Sequence, residues 1–194
     1  LLISNEAKLE HRTMYGHTPL ALAAGYKHYP LAQYLLSVGA KAVNIQYEND
    51  KTRLMILGAE NGDKEMVSEA VKAGAEVNGK GDGDNKTALD HAAAKGDIEM
   101  MKTLLAAGAD VDTADENGQT PLYHSSQNGH IKTFKLLLAA GASTEIRDKD
   151  GKSPVDCASH ETFGEIMEAI KYSVPNDLMW LNKTHEFLSR VCVI

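Results

Sequence analysis

A short phrase of two mostly aliphatic residues, two spacers and Gly-Ala recurs four times along the chain. It reads Leu35-Leu36-Ser37-Val38-Gly39-Ala40, Ala70-Val71-Lys72-Ala73-Gly74-Ala75, Leu104-Leu105-Ala106-Ala107-Gly108-Ala109 and Leu137-Leu138-Ala139-Ala140-Gly141-Ala142. The glycines stand 35, 34 and 33 residues apart. Two further phrases keep the same phase. Thr18-Pro19-Leu20, Arg53-Leu54-Met55, Thr87-Ala88-Leu89 and Thr120-Pro121-Leu122 begin 21 residues ahead of each glycine. Lys27-His28, Gly62-Asp63, Gly96-Asp97 and Gly129-His130 begin 12 residues ahead. A unit this short cannot bury a core alone, so successive units must stack against each other.

Each phrase has a physical task. Thr followed by Pro puts a hydroxyl at a helix N-cap and a proline at the first helical position, where its missing N–H costs nothing. The middle glycine (62, 96, 129) turns that helix into a second one, and the last (39, 74, 108, 141) caps the second. Ile131, Phe134, Leu137 and Leu138 follow helical spacing, with Lys132 and Lys135 on the opposite side. Asp115-Glu116-Asn117-Gly118 and Asp148-Lys149-Asp150-Gly151 carry turn chemistry between units. Composition agrees: only 6% of residues are aromatic while Gly numbers 16, as thin helix pairs in close contact require.

Taken together, the phrases resemble the ankyrin repeat family, whose pattern runs Gly-x-Thr-Pro-Leu-His-x-Ala-Ala, then Gly-His, then Leu-Leu-x-x-Gly-Ala. Gly16-His17-Thr18-Pro19-Leu20-Ala21-Leu22-Ala23-Ala24 and Gly118-Gln119-Thr120-Pro121-Leu122-Tyr123 match it best. The resemblance implies an all-α solenoid of stacked helix-turn-helix units joined by β-hairpin-like loops. Its repeats would occupy 12–44, 45–78, 79–111, 112–144 and 145–171, inside a stack covering 12–171. The family histidine is replaced throughout, by Ala21, Ile56, Asp90, Tyr123 and Asp156, which removes a side chain that usually bridges the loop backbone. The second copy has Lys51 for Gly and Arg53-Leu54 for Thr-Pro, which predicts a looser hairpin. The fifth opens with Gly151-Lys152-Ser153-Pro154-Val155 and then has Glu161-Thr162 in place of Gly-His. It closes on Ile166, Met167 and Ile170, as a modified capping unit would.

Segment 1–11 reads as the tail of a preceding repeat, with Asn5 in the C-cap place, and together with the missing initiator Met this points to a chain cut from a longer protein. Segment 172–194 leaves the period after Pro175, and Leu178, Leu181, Phe187, Leu188 and Val191 suit a capping helix with Trp180 as its anchor. The chain has 20 Lys+Arg against 27 Asp+Glu, a net charge of −7, and its basic residues are scattered, which argues against nucleic acid. No apolar run approaches a membrane span. Two cysteines, Cys157 and Cys192, suit a reducing, cytoplasmic setting better than a disulfide framework. A monomer without membrane association is expected.

Motifs that suggest chemistry dissolve on closer reading. Gly74-Ala75-Glu76-Val77-Asn78-Gly79-Lys80 imitates a phosphate loop, but Gly81 replaces its Ser/Thr and Asp82 and Asp84 would repel phosphate. The Asp82-x-Asp84 and Asp148-x-Asp150-Gly151 turns lack the bidentate Glu of a calcium loop, since Ala93 and Ser159 stand at position twelve. The histidines show no paired ligand spacing, so neither metal nor cofactor is expected. Cys157 and His160 share an i, i+3 spacing, yet Cys157 at an inner-face position on the first helix of the fifth copy reads as a small packed side chain. Asn182-Lys183-Thr184 is a chance glycosylation pattern, and Cys192-Val193-Ile194 falls one residue short of a prenylation box.

What the resemblance implies is a surface and no catalysis: partners of such stacks bind a concave face made of hairpin tips and first helices. Residue by residue, that face takes Met14, Tyr15, His17, Leu22 and Tyr26, then Asn49, Asp50, Leu57, Glu60 and Asn61, then Asp84, Lys86, His91 and Lys95. The fourth copy adds Glu116, Asn117, Gln119, His124, Gln127 and Asn128, and the fifth adds Lys149, Asp150 and Lys152. The expectation is a non-enzymatic module binding a protein or peptide, with aromatic anchors at the N-terminal end. The alternative is a regulatory or recruiting segment of a larger enzyme, channel or effector.

Overall fold

The computed structural model describes residues 9–173, which hold nine α-helices and no strand. The tail assigned to residues before 9 and the cap assigned to 174–194, with Trp180, Asn182 and Cys192, lie outside the described residues. The chain divides into two compact units, Leu1–Ala92 with Glu99–Asp110, and Ala93–Ile98 with Val111–Ile194.

In the first unit α1 (Pro19–Gly25) and α2 (Tyr29–Ser37) form a hairpin, a 3₁₀ turn follows at Ala42–Asn44, and α3 (Glu48–Asn61) and α4 (Lys64–Lys72) form the next pair. Two more helices, α5 (Ala88–Lys95) and α6 (Ile98–Ala106), contribute most of their length here. The inner helix α3 packs on α1, α2 and α4, so Leu54, Met55, Leu57, Met66 and Val67 are almost fully shielded from water. In the second unit α7 (Pro121–Gln127) packs on α8 (Ile131–Ala139), and α8 on α9 (His160–Ser173). Along α8 the buried side chains are Thr133, Phe134, Leu137 and Leu138, a single stripe at helical spacing. Each such Leu or Phe contributes roughly 1.5–3 kcal/mol of burial, which the short helices need because nine residues are too few to hold a helix in water.

The recurring glycines do the work assigned to them. Gly39, Gly74, Gly108 and Gly141 all have φ between 87° and 101°, in the left-handed region that side chains avoid. Behind each, the next alanine's N–H reaches back five residues, as Ala40 to Leu35 O at 2.9 Å and Ala142 to Leu137 O at 3.0 Å, the six-to-one bond that closes a helix end. At the middle turn Gly62, Gly96 and Gly129 have φ of 76°, 71° and 70°, and Lys27 takes the same place with φ 54° despite its side chain. Thr18 and Thr120 cap α1 and α7, accepting from Ala21 N at 3.2 Å and Tyr123 N at 3.3 Å.

Two of the histidine replacements are functional substitutes. Asp90 Oδ2 accepts from the Thr87 N–H and hydroxyl, both at 2.8 Å, while Thr87 Oγ1 accepts from Asp90 N at 3.3 Å. Ser153 and Asp156 repeat this reciprocal cap. Each satisfies orphan N–H groups from both sides.

The second copy departs from expectation. It has no looser hairpin; α3 begins at Glu48 and runs without a break to Asn61, twice the length of α1 or α7. Gly16, Gly118 and Gly151 take φ of 84°, 80° and 78°, and Asn85 takes 55°, but Lys51 in the same place is helical. With no residue suited to the left-handed turn and no Thr-Pro to restart, the helix simply continues, and Glu48 and Asp50 in its first turn face the positive end of its dipole. In the fifth copy the segment expected as a first helix, with Cys157 in it, is only a turn. Ser159 caps α9 through Thr162 N at 3.3 Å, so the two caps at Ser153 and Ser159 leave too few residues for a helix between them. Glu161 and Thr162 become part of α9, whose Ile166, Met167 and Ile170 are buried as a closing face requires.

Candidate functional site

The loop before α1 is a four-residue turn held by its own side chain. Thr13 Oγ1 accepts from Tyr15 N at 3.3 Å and His17 N at 3.2 Å, and Gly16 N donates to Thr13 O at 2.9 Å. Gly16 is obligatory at φ 84°, where a β-carbon would also fall 2.6 Å from Gln46 Oε1. The turn pushes Met14 and Tyr15 outward, 90% and 70% exposed. Tyr47, just ahead of α3, flanks it: its hydroxyl donates to Tyr15 O at 2.9 Å and its ring lies 5.1 Å from that of His17.

Behind these rings runs a line of charge. His17 Nδ1 and Asp50 Oδ2 share a hydrogen bond at 2.7 Å, and Asp50 Oδ1 receives Arg53 NH1 at 3.4 Å. Arg53 Nε donates to Asp82 at 2.9 Å, and that bond, with the two carboxylates, holds its guanidinium above the ordinary arginine range. Together Arg12, Tyr15, His17, Tyr47, Asn49 and Arg53 line an open hollow of about 870 Å³.

Further along the first unit, Asp84 accepts from Lys86 N at 3.3 Å and pairs with its ammonium at 3.6 Å. Burial alone would raise the Asp84 carboxyl, but these contacts outweigh it and hold it below its usual value. His91 is also shifted down, which for an imidazole disfavours the charged form: burial pushes it below 6.5, although Glu60 and Asp84 nearby pull it back up.

Among the expected face residues, Asn49 and Asn61 are exposed, while His17, Leu22, Glu60, Asp84, Lys86 and His91 are half-buried. Asp50 and Leu57 are buried at 3% exposure each, so they support the face from within and offer nothing to a partner. The long helix explains both, because the missing hairpin leaves Asp50 in the first turn of α3 with its carboxylate turned to His17 and Arg53. In the second unit Lys95, Glu116, Asn117, Gln127, Asn128, Lys149, Asp150 and Lys152 are exposed and Gln119 is half-buried. His124 is buried at 4%, its Nε2 bonded to Asp115 Oδ2 at 3.2 Å, and is a loop brace. Sequence reading missed Arg12, Gln46, Tyr47 and Arg53. Tyr47 carried the one available signal, an aromatic where the period expects a polar loop.

The aspartate-rich turns hold their own backbone. Asp148 Oδ1 takes Lys152 N at 2.8 Å and Asp150 N at 3.0 Å, while Asp82 pairs with Arg53. Cys157 is half-buried and its thiol donates to Pro154 O at 3.0 Å; burial pushes its pKa up to about 11, so it is not a poised nucleophile. Tyr123 is buried and raised well above the usual phenol range by burial and by its bond to Asp148. No described helix is long and apolar enough to cross a membrane.

A family model for ankyrin repeats in three copies matches residues 38–115 and 91–176, and a single-repeat model matches 15–48. The chain belongs to the ankyrin repeat family. Ankyrin repeats are protein-interaction modules and are not themselves catalytic. Among curated proteins, the chain is similar to the potassium channel AKT3 of Oryza sativa subsp. japonica, 39% identical over 62 residues. It is also similar to a putative palmitoyltransferase, ZDHHC13 of Danio rerio, 30% identical over 103 residues. Those alignments take in 32% and 53% of this chain but only 7% and 16% of the relatives, both much longer proteins.

Proposed function

We propose that this chain is a non-catalytic module that binds a partner protein or peptide on the face formed by its loop tips and first helices, with the N-terminal loop as its anchor. The observation that carries this is the concentration of exposed large apolar side chains. On that face Met14, Tyr15 and Tyr47 are exposed at the N-terminal loop and Tyr26 at the end of α1, whereas among the described residues of the second unit the exposed large apolar side chain is Tyr172, on α9. Exposed Tyr and Met beside Arg are the material of interface hot spots, since rigid rings bury area at little entropic cost. Loop tips of polar and mixed charge would supply the rim in which water is excluded.

The test is affinity capture with the whole chain and with a Tyr15→Ala/Tyr26→Ala variant, partners being quantified by mass spectrometry. Both side chains are largely in solvent, so the variant should melt like the parent and lose captured partners. Equal capture by both proteins moves the site elsewhere. A second reading has its own support: the relatives are a channel and a putative acyltransferase of which the matched part is a small fraction, so the module would serve as a regulatory or recruiting segment of a larger protein. In that case the partner would be another segment of the same polypeptide.

A further inference from the structure

Resting on that reading, we infer that the hollow at the N-terminal loop receives a carboxylate of the partner peptide, with Arg12 as its receptor and Tyr15 and Tyr47 as walls for the neighbouring apolar residue. Arg12 is held on three uncharged oxygens. NH1 donates to Gly16 O and Gln46 Oε1, both at 3.1 Å, and NH2 donates to Asn44 O at 2.8 Å. A guanidinium has five N–H groups in a planar fork, so two remain, and among the described residues no carboxylate lies within ion-pair distance of them. The side chain is thus fixed in place with its charge uncompensated. Ordering a long cation usually costs entropy on binding, and here the fold has already met that cost.

The rest of the lining points the same way. Arg53 and His17 also border the hollow but are occupied, Arg53 by Asp50 and Asp82 and His17 by Asp50, which leaves Arg12 as the open cation. The one acidic residue of the lining, Asp50, has a side chain only 5% exposed. A chain of net charge −7 therefore presents here a hollow whose accessible charge is positive. That is complementarity for an acidic segment, and bidentate recognition by an Arg fork selects a planar carboxylate. The volume of about 870 Å³ suits a few peptide residues and not a large folded surface.

Random dodecapeptides displayed on phage and selected on the full chain provide the test. The enriched sequences should carry Asp or Glu, or a free C-terminus, next to an aromatic or aliphatic residue. The synthetic consensus peptide should bind about tenfold more weakly when that carboxylate becomes an amide. Two peptides, one with a C-terminal amide and one with Asp or Glu changed to Asn or Gln, identify which carboxylate is read. Against Arg12→Gln, which keeps a hydrogen-bonding group but no charge, the acid and amide peptides should bind alike. Arg12→Lys should recover only part of the preference, because it lacks the fork. A consensus peptide that binds equally well with every carboxylate made an amide, or an acid preference that persists in Arg12→Gln, overturns the inference while leaving a peptide-binding module. Selection of no peptide at all overturns the inference too, and leaves the proposed module with a folded partner, which the affinity capture reads.

Discussion

Repeats two and four begin with the same task, to bring the chain from one helix pair into the next, and they solve it oppositely. In repeat four Asp115 Oδ1 accepts the N–H groups of Asn117 and Gln119, at 2.8 and 2.9 Å, Gly118 turns left-handed, and Thr120-Pro121 starts α7 afresh. In repeat two none of these residues is present and α3 is helical from Glu48. Repeat three lies between, with Asn85 at φ 55° and the Thr87–Asp90 cap but no proline. Helix is therefore the default path through this segment, and the loop has to be imposed by a few side chains. The aspartates show the difference: Asp115 accepts from its own loop's backbone and from His124, whereas Asp50, also buried, is bonded by the side chains of His17 and Arg53.

Asp115→Ala gives the largest expected effect, a loss of about 2–4 kcal/mol in urea unfolding, because two loop N–H groups and buried His124 lose their acceptor. Asp50→Ala should cost about half as much, since Arg53 and His17 can turn to water. Equal losses would mean that the loop and the long helix depend on their aspartates alike. Next in size, Gly118→Ala should cost about 1–2 kcal/mol: its φ of 80° is wrong for alanine and a β-carbon would lie 3.2 Å from Asp148 Cα. The reciprocal change Lys51→Gly should cost about 1 kcal/mol, as glycine in a helix does, and leave α3 helical by chemical shift. A new loop there would show that one residue is enough to switch the two solutions.

Lys27→Gly tests the shared middle turn. It should stabilise by roughly 0.5–1 kcal/mol, because lysine at φ 54° is strained where the other copies have glycine. An unchanged Tm would mean the strain is relaxed locally. The smallest effect is in pH. The His91 imidazole titrates below its ordinary 6.5 in the folded chain, so the unfolded chain binds more protons in that window. Stability should therefore fall as pH drops below 6.5, and His91→Gln should flatten that part of the curve.

Helices, turns and their order were legible because they rest on local chemistry: glycine at φ above zero, hydroxyls at caps, and one apolar stripe per helix. The exceptions are also local but need two signals read together. Lys51 with Arg53-Leu54 marks the loss of both the turn and the restart, and Ser153 with Ser159 marks caps too close for a helix. The site was less legible because exposure is tertiary. Asp50, Leu57 and His124 have the periodic position of face residues, and only the packing of α3 and the bond to Asp115 reveal them as interior supports. Arg12 was invisible for the converse reason: its meaning lies in the uncharged oxygens of Gly16, Asn44 and Gln46 that hold it.

The Gly-Ala turns bear on the order of events in folding. Each closing bond, such as Ala109 N to Leu104 O at 3.0 Å, joins residues five apart. The ties from one loop to the next, such as Asp110 N to Asn78 Oδ1 at 2.8 Å and Ser143 N to Asp112 Oδ1 at 2.9 Å, span almost a whole period. Contacts over a handful of residues close in about a microsecond or less, while longer ones wait on chain search. The helix ends can therefore close first, but such short helices persist only when a neighbouring pair docks, so the slow step is the docking that makes them last.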